Sequence, residues 1–181
     1  PHGFFCAAAP GSPLRREQHP SLSIPVYSLY GQTKAPTAEM LRRVDTIVFD
    51  LQDIGARSYT YVSTLRLVLE AASKWKMKVV VADRPIPLPR VVDGPVTEDE
   101  CSSFVSLVKT PMAYGMTPGE TARWLTKTLA LDLCLKVAPM AGYVRQPGRD
   151  ADWPPWIPPS PGIRTWESAT CFPATVCFDA L

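Results

Sequence analysis

The spacing of apolar residues changes several times along the chain, and each change predicts an element. Phe4 to Pro20 holds no sustained period and reads as loop. Ile24 to Tyr30, rich in β-branched and aromatic side chains and stopped by Gly31, predicts a strand. Thr37 to Arg43 predicts a short helix with Thr37 as its cap. Thr46-Ile47-Val48-Phe49 is a run of the kind that parallel strands show when both faces are buried, and it gives way at once to Asp50. Leu65, Val68, Leu69, Ala72 and Trp75 recur at steps of three and four, predicting a helix that ends among Lys74, Lys76 and Lys78. Lys78 to Ala82 repeats the strand pattern, closes in Asp83-Arg84 and opens into the proline-laden stretch 85–95. Thr117-Pro118-Gly119-Glu120 is a capping box with Pro at the first helical position, and Ala122, Leu125 and Leu129 continue one face. Leu133 to Val137 predicts a further strand, and beyond Pro139 the density of Pro, Gly and Trp predicts irregular chain.

Strands alternating with helices at this spacing predict an α/β fold, a mainly parallel sheet covered by helices on both faces. Ligands of such sheets sit beyond the carboxyl ends of the strands, which is where Asp50, Gln52, Asp53, Asp83 and Arg84 fall.

Composition narrows the class. With 181 residues, 46% apolar and 20% charged, the chain is long enough for one sizeable core and too apolar to be disordered. Its 20 prolines predict many fixed turns, so long loops are expected to carry the function. A net charge of +2, with Arg15-Arg16 and Arg42-Arg43 the only adjacent basic pairs, gives no nucleic-acid footprint. No apolar run approaches the roughly 18 residues of a membrane span. Five cysteines without a C-x-x-C pair, beside only His2 and His19, argue against a structural zinc site, and no metal ligands are assigned. Cys134, between Leu133 and Leu135, reads as buried core. The opening residue is Pro1, so the sequence reads as processed or partial, and localisation stays open.

The stretch Asp50 to Tyr61 concentrates two carboxylates, the Gln52 amide, the Arg57 guanidinium and the phenols of Tyr59 and Tyr61 directly after a strand. Two carboxylates in unlike surroundings can act as acid and base, because burial raises one pKa while Arg57 or Arg84 keeps the other ionised. The same aspartates equally suit a loop locked by its own backbone amides. An apolar strand ending in Asp is also the mark of phosphotransferases with an aspartate nucleophile; there the second Asp stands two residues on, whereas here it is three on, with Gln52 in its place. A Mg²⁺-dependent phosphohydrolase using Asp50 and Asp53 therefore remains as a minor alternative. Neither G-x-G-x-x-G, G-x-x-x-x-G-K nor G-x-S-x-G occurs, which leaves nucleotide binding and serine hydrolysis without support. Asp83 either faces the first cluster or locks its own turn, and Glu120 fits a reach back to the Thr117 backbone. Trp153 and Trp156, among Pro154 to Pro161, suit stacking on a sugar face, lidding the core, or binding a partner.

Taken in order, these segments resemble the NamZ-type family of exo-β-N-acetylmuramidases, the YbbC-like proteins. The resemblance covers nearly the whole chain. It rests on His2-Gly3-Phe4, Pro25 to Gly31, Pro36-Thr37 with Met40-Leu41, Phe49 to Arg57 with Tyr59-Thr60-Tyr61, and Asp83-Arg84-Pro85 with Pro87. It continues through Gly94-Pro95, Gly115-Met116-Thr117 with Gly119-Glu120, and Pro158 to Pro161 with Thr165 and Glu167. The resemblance implies a Rossmann-like domain over residues 1–138, and a segment 139–181 that begins a smaller C-terminal domain or lid, both truncated. It implies release of terminal N-acetylmuramic acid from peptidoglycan fragments by a secreted or periplasmic glycosidase without a cofactor. Asp50, Asp53 and Asp83 are then the catalytic candidates. His2, Gln52, Arg57, Tyr59, Tyr61, Arg84, Tyr114 and Ser160 would bind the amino sugar, with Arg57 or Arg84 on the lactyl carboxylate. Four departures stand out: Pro1 where the family places Glu, Tyr114 where it places His, and Ile86 and Gly162 where it places Asn. Phe178-Asp179-Ala180 also replaces a Phe-Glu-Gly pattern. They favour, as the alternative, a non-catalytic carbohydrate-binding or inactivated member.

Overall fold

The computed structural model describes residues 17–146, 148 and 155–178. Their centre is a three-stranded parallel sheet of β3 (Thr46–Phe49), β4 (Lys78–Ala82) and β5 (Cys134–Ala138), in the order β3-β4-β5. The register pairs Phe49 with Val81 and Val81 with Val137, so β3, β4 and β5 end near one line. A small antiparallel pair, β1 (Glu17–Gln18) and β2 (Pro25–Val26), precedes it. The strand expected over Ile24 to Tyr30 is thus only Pro25–Val26. Pro25 has no N–H to give a ladder, and the Ser28 hydroxyl takes the Tyr30 amide at 3.0 Å, turning the chain away. The loop expected up to Pro20 contains β1, and its earlier part lies outside the described residues.

Three helices follow the predicted order. α1 (Ala38–Leu41) is short and opened by Thr37, whose hydroxyl accepts the Met40 amide. α2 (Tyr61–Trp75) buries Val62, Leu65, Val68, Leu69 and Ala72 and stops at Lys76, which adopts φ +52° as a left-handed cap. Trp75, expected on the buried stripe, is 45% exposed because the stripe has rotated past the sheet by the last turn. α3 (Pro118–Thr128) starts at the predicted capping box: Thr117 Oγ1 accepts the Glu120 amide and Glu120 accepts the Thr117 amide.

The core joins Phe49, Val79 and Val81 of the sheet to Leu65, Leu69 and Ala72 of α2 and to Ala122 and Leu125 of α3. Of these, each buried Val, Leu or Phe side chain stabilises the fold by about 1.5–3 kcal/mol. Strand alternation sends the neighbours the other way. Val48 is 64% exposed, and Cys134 and Lys136 are exposed on the same face of β5, across β4. Among the described residues the helices cover one face of the sheet, whereas the run Thr46–Phe49 predicts cover on both. Cys134 is accordingly not a core residue: its register partner is the exposed Lys78, on the open face.

The irregular chain expected beyond Pro139 contains a helix, α4 (Trp166–Thr175), even with Pro173 inside it. Thr165 and Ser168 form a second capping box, a signal outweighed in sequence by the surrounding prolines. α4 and Ile163 pack on Ile54, Ala56, Tyr59 and Tyr61, so the C-terminal segment covers the loop that follows β3. No helix among the described residues is long and apolar enough to cross a membrane.

Candidate functional site at the strand ends

The loop after β3 is held by backbone pairing. Arg57 N–H donates to the Met112 carbonyl at 2.8 Å and Tyr114 N–H to that of Gly55 at 3.1 Å, which ties residues 55–57 to 112–114. Gly55 takes φ +73°, which favours glycine, and a Cβ there would lie 2.9 Å from Ile86 Cδ1, which would have to shift. The Gln52 amide nitrogen donates to the carbonyls of Asp53 and Pro85, both at 2.8 Å, fastening this loop to the one after β4. Gln52 is therefore a brace between the two strand ends.

The two aspartates of the loop sit in opposite surroundings. Asp50 is half exposed and paired with Arg84, its Oδ1 2.6 Å from Nη2 and 2.7 Å from Nε. Asp53 is 3% exposed; its Oδ1 accepts the Ile54 amide at 2.9 Å and its Oδ2 accepts the Tyr114 hydroxyl. Burial pushes the Asp53 carboxyl up to about 6, against the lowering effect of Tyr114 and of the backbone amides. Tyr114 is driven upward by its own burial and then by the negative charge it faces. The result is a buried carboxyl that exchanges its proton near neutral pH.

Asp83 uses both oxygens on the start of α3. Oδ1 accepts the amides of Gly119 at 2.7 Å and Arg84 at 3.1 Å, while Oδ2 accepts the Thr117 hydroxyl at 3.0 Å. A Cβ on Gly119 would fall 2.7 Å from Asp83 Cγ, so the glycine is what lets the helix meet the carboxylate. Of the two roles open to Asp83 in sequence, this geometry supports the lock. Glu120 reaches back to Thr117 as its motif implied, and both of its oxygens also take Arg145, which donates in addition to the carbonyls of Pro89 and Gly115. Burial disfavours the Glu120 charge, yet Arg145 and the Thr117 amide hold its carboxyl below the usual range.

The remaining predicted residues divide. Tyr61 Oη donates to the Pro159 carbonyl at 2.7 Å and fixes the proline loop over the site. Tyr59 stacks edge-on against Tyr61 and Phe172, with ring centroids 4.9 and 5.7 Å away, and its buried phenol is raised far above its usual range. Ser160 Oγ accepts the Gly162 amide at 3.1 Å and so holds a turn. Tyr59 and Ser160 nevertheless line a groove of about 950 Å³ with Phe172 and Phe178. Trp156 packs edge-to-face on Trp166 and against the Ile54–Tyr61 cluster, the lidding role of the three considered. His2 and Trp153 lie outside the described residues. Sequence reasoning missed Arg145, set in chain without period, and Tyr30, whose hydroxyl bonds to Thr60 and lies 3.4 Å from Thr64 Oγ1. Among the described residues no three His, Cys, Asp or Glu side chains cluster to hold a metal.

Comparison with known proteins gives this arrangement a family. The chain is 40% identical over 175 residues to the peptidoglycan β-N-acetylmuramidase NamZ of Bacillus subtilis (strain 168), covering 96% of this chain and 42% of that protein. The crystal structure of a DUF1343 family protein from Bacteroides fragilis NCTC 9343 superposes with a TM-score of 0.81 at 40% identity, over 91% of this chain and 44% of that one. A second DUF1343 protein from the same organism gives 0.77 at 26% identity, over 88% and 44%. The chain thus spans less than half the length of these relatives. A family model described as the N-terminal part of the exo-β-N-acetylmuramidase NamZ matches residues 1–167, which include the bridged loop, the Asp53–Tyr114 pair and the Asp83 lock. The chain belongs to the NamZ family, by its N-terminal part.

Proposed function

We propose that this chain supplies the strand-end part of a glycosidase site that releases terminal N-acetylmuramic acid from peptidoglycan fragments. The observation that carries the reading is Asp53, a carboxyl sealed in the fold, hydrogen-bonded by Tyr114 and poised at about 6, three residues from the solvent-facing Asp50. Acid–base chemistry at an anomeric carbon needs one carboxyl that keeps its proton and one that does not, and unlike surroundings supply that difference. Asp50, with Arg84 beside it, is the group placed to meet the sugar. Asp53 stores the proton behind it, and Asp83 is a positioning residue that acts through α3. Residues 139–181 are in this reading the start of a smaller domain or lid, whose described part is held by the Tyr61–Pro159 hydrogen bond and the packing of α4. The partner is an amino sugar, in keeping with a net charge of +2 and no basic cluster for nucleic acid.

The test is release of N-acetylmuramic acid from N-acetylmuramyl-β-1,4-N-acetylglucosamine, with Asp50→Asn and Asp53→Asn as comparisons. Loss of release in both variants, with folding intact, supports the proposal. A second reading, carbohydrate binding without hydrolysis, draws on the depth at which Asp53 is buried and on Tyr114 occupying its Oδ2. Sugar binding by a folded protein that releases nothing would select it. Turnover of a phosphate ester that depends on Mg²⁺ would instead favour the phosphohydrolase.

A further inference from the structure

Four arginines of the described residues are withdrawn from full exposure: Arg57, Arg66, Arg84 and Arg145. Three of them carry a carboxylate. Arg66 pairs with Glu70 at 2.8 Å, Arg84 with Asp50 at 2.6 Å, and Arg145 with Glu120. Arg57 is the most buried of the four, 8% exposed, and among the described residues no carboxylate lies within ion-pair distance of it. Its Nη1 donates to the neutral Thr97 hydroxyl, and its Nε, shut off from water, has no acceptor among the described residues.

Nearby acids do not fill the gap. Asp53 is committed to Tyr114 and the Ile54 amide, Asp93 to the Gly94 amide at 2.7 Å, and Asp99 to Lys109. Glu98 and Glu100 are exposed. A guanidinium cannot shed its proton to escape this position, so it remains a buried cation without a counter-charge. Its backbone is also fixed, by the Arg57–Met112 hydrogen bond and the Ala56–Ala113 bridge that follow the Gly55 turn. Among the described residues no charged group takes the donors of this planar fork, and such a fork is what a carboxylate fits with two parallel hydrogen bonds.

We propose that Arg57 is a receptor for an organic carboxylate. Resting on the muramidase reading above, that carboxylate is the lactyl group that distinguishes N-acetylmuramic acid from N-acetylglucosamine. Of the two arginines sequence offered for this task, Arg84 is occupied by Asp50, and Arg57 has no carboxylate partner among the described residues.

The experiment measures binding of three probes to the purified protein by calorimetry: N-acetylmuramic acid, its uncharged primary carboxamide, and N-acetylglucosamine. D-lactate is added as a bare carboxylate, and melting temperature is followed throughout. The wild type is expected to bind the acid at least about tenfold more tightly than the carboxamide, as a desolvated charge-assisted pair does. Arg57→Met is expected to abolish that preference while leaving N-acetylglucosamine binding unchanged, and Arg57→Lys to keep only part of it. Unliganded Arg57→Met is expected to melt no lower than the wild type, since the uncompensated charge is gone; a purely structural arginine would give a loss. A folded Arg57→Met, or Arg57→Lys should the former not fold, that retains the full acid-over-carboxamide preference overturns the proposal. If neither sugar binds but D-lactate raises the melting temperature of the wild type and not of Arg57→Met, the carboxylate receptor stands and the muramidase reading falls.

Discussion

Replacing Asp53 by Asn tests the buried carboxyl without changing its shape. In the folded protein this group titrates near 6, against 3.8 for an ordinary aspartate, so the folded state binds the proton more tightly than the unfolded chain does. Stability therefore falls as pH rises through this window, the reverse of a salt-bridged aspartate. Integrating the proton linkage between about pH 4.5 and about pH 7.5 gives a loss of about 2 kcal/mol from this group alone. Asn keeps an acceptor for the Ile54 amide, and the Tyr114 hydroxyl can turn from donating to accepting, so both contacts of the carboxylate have a counterpart. Urea unfolding of both proteins at the two pH values isolates the term. The wild type should lose about 2 kcal/mol more than Asp53→Asn on going to the higher pH. Equal changes in the two proteins, or a wild type that gains relative to the variant, would refute the claim that burial governs this carboxyl.

Other perturbations separate locks from chemistry. Gly119→Ala should cost about 1–3 kcal/mol, because its Cβ would meet Val137 Cγ1 at 2.6 Å and Asp83 Cγ at 2.7 Å; thermal denaturation reads it, and an unchanged melting temperature contradicts the close approach. Thr117→Ala removes both the α3 cap and a donor to Asp83 and should cost about 1–2 kcal/mol in the same assay. Asp50→Asn breaks only a half-exposed pair, so its unfolding free energy should move by less than about 1 kcal/mol even where activity is lost. Arg145→Met leaves only Thr117 to oppose the effect of burial on Glu120. Because the folded carboxyl is held low, its stabilising effect is present at neutral pH and fades in acid, so the melting-temperature gap to wild type should shrink as pH falls.

The parts of the fold that were legible in sequence are those set by local chemistry. The Thr117 capping box, the stripe Leu65–Ala72 and the runs that became β3, β4 and β5 each announce themselves through neighbours within four residues. What misled depends on partners distant in sequence or on competing local signals. Val48 and Cys134 look like core until strand alternation and the absence of a covering helix among the described residues expose them. α4 was masked by the prolines around its Thr165–Ser168 box. In the site, the concentration of polar residues from Asp50 to Tyr61 was visible, but their division of labour was not. Gln52 and Asp83 are engaged by a carbonyl at Pro85 and an amide at Gly119, which local sequence does not place opposite them. Arg57 and Arg84 were indistinguishable until Asp50 was seen to occupy one of them. Arg145 carried no local signal, since its partners Glu120, Pro89 and Gly115 are all remote in sequence.

The central claim is that the strand-end carboxyls serve a glycosidase, and the most direct measurement is the yield of free N-acetylmuramic acid from N-acetylmuramyl-β-1,4-N-acetylglucosamine. Release by the wild type should fall by at least about a hundredfold in Asp50→Asn and in Asp53→Asn, the scale of losing general acid–base assistance. Release that survives both substitutions, or a folded wild type that binds the disaccharide and leaves it intact, would contradict it.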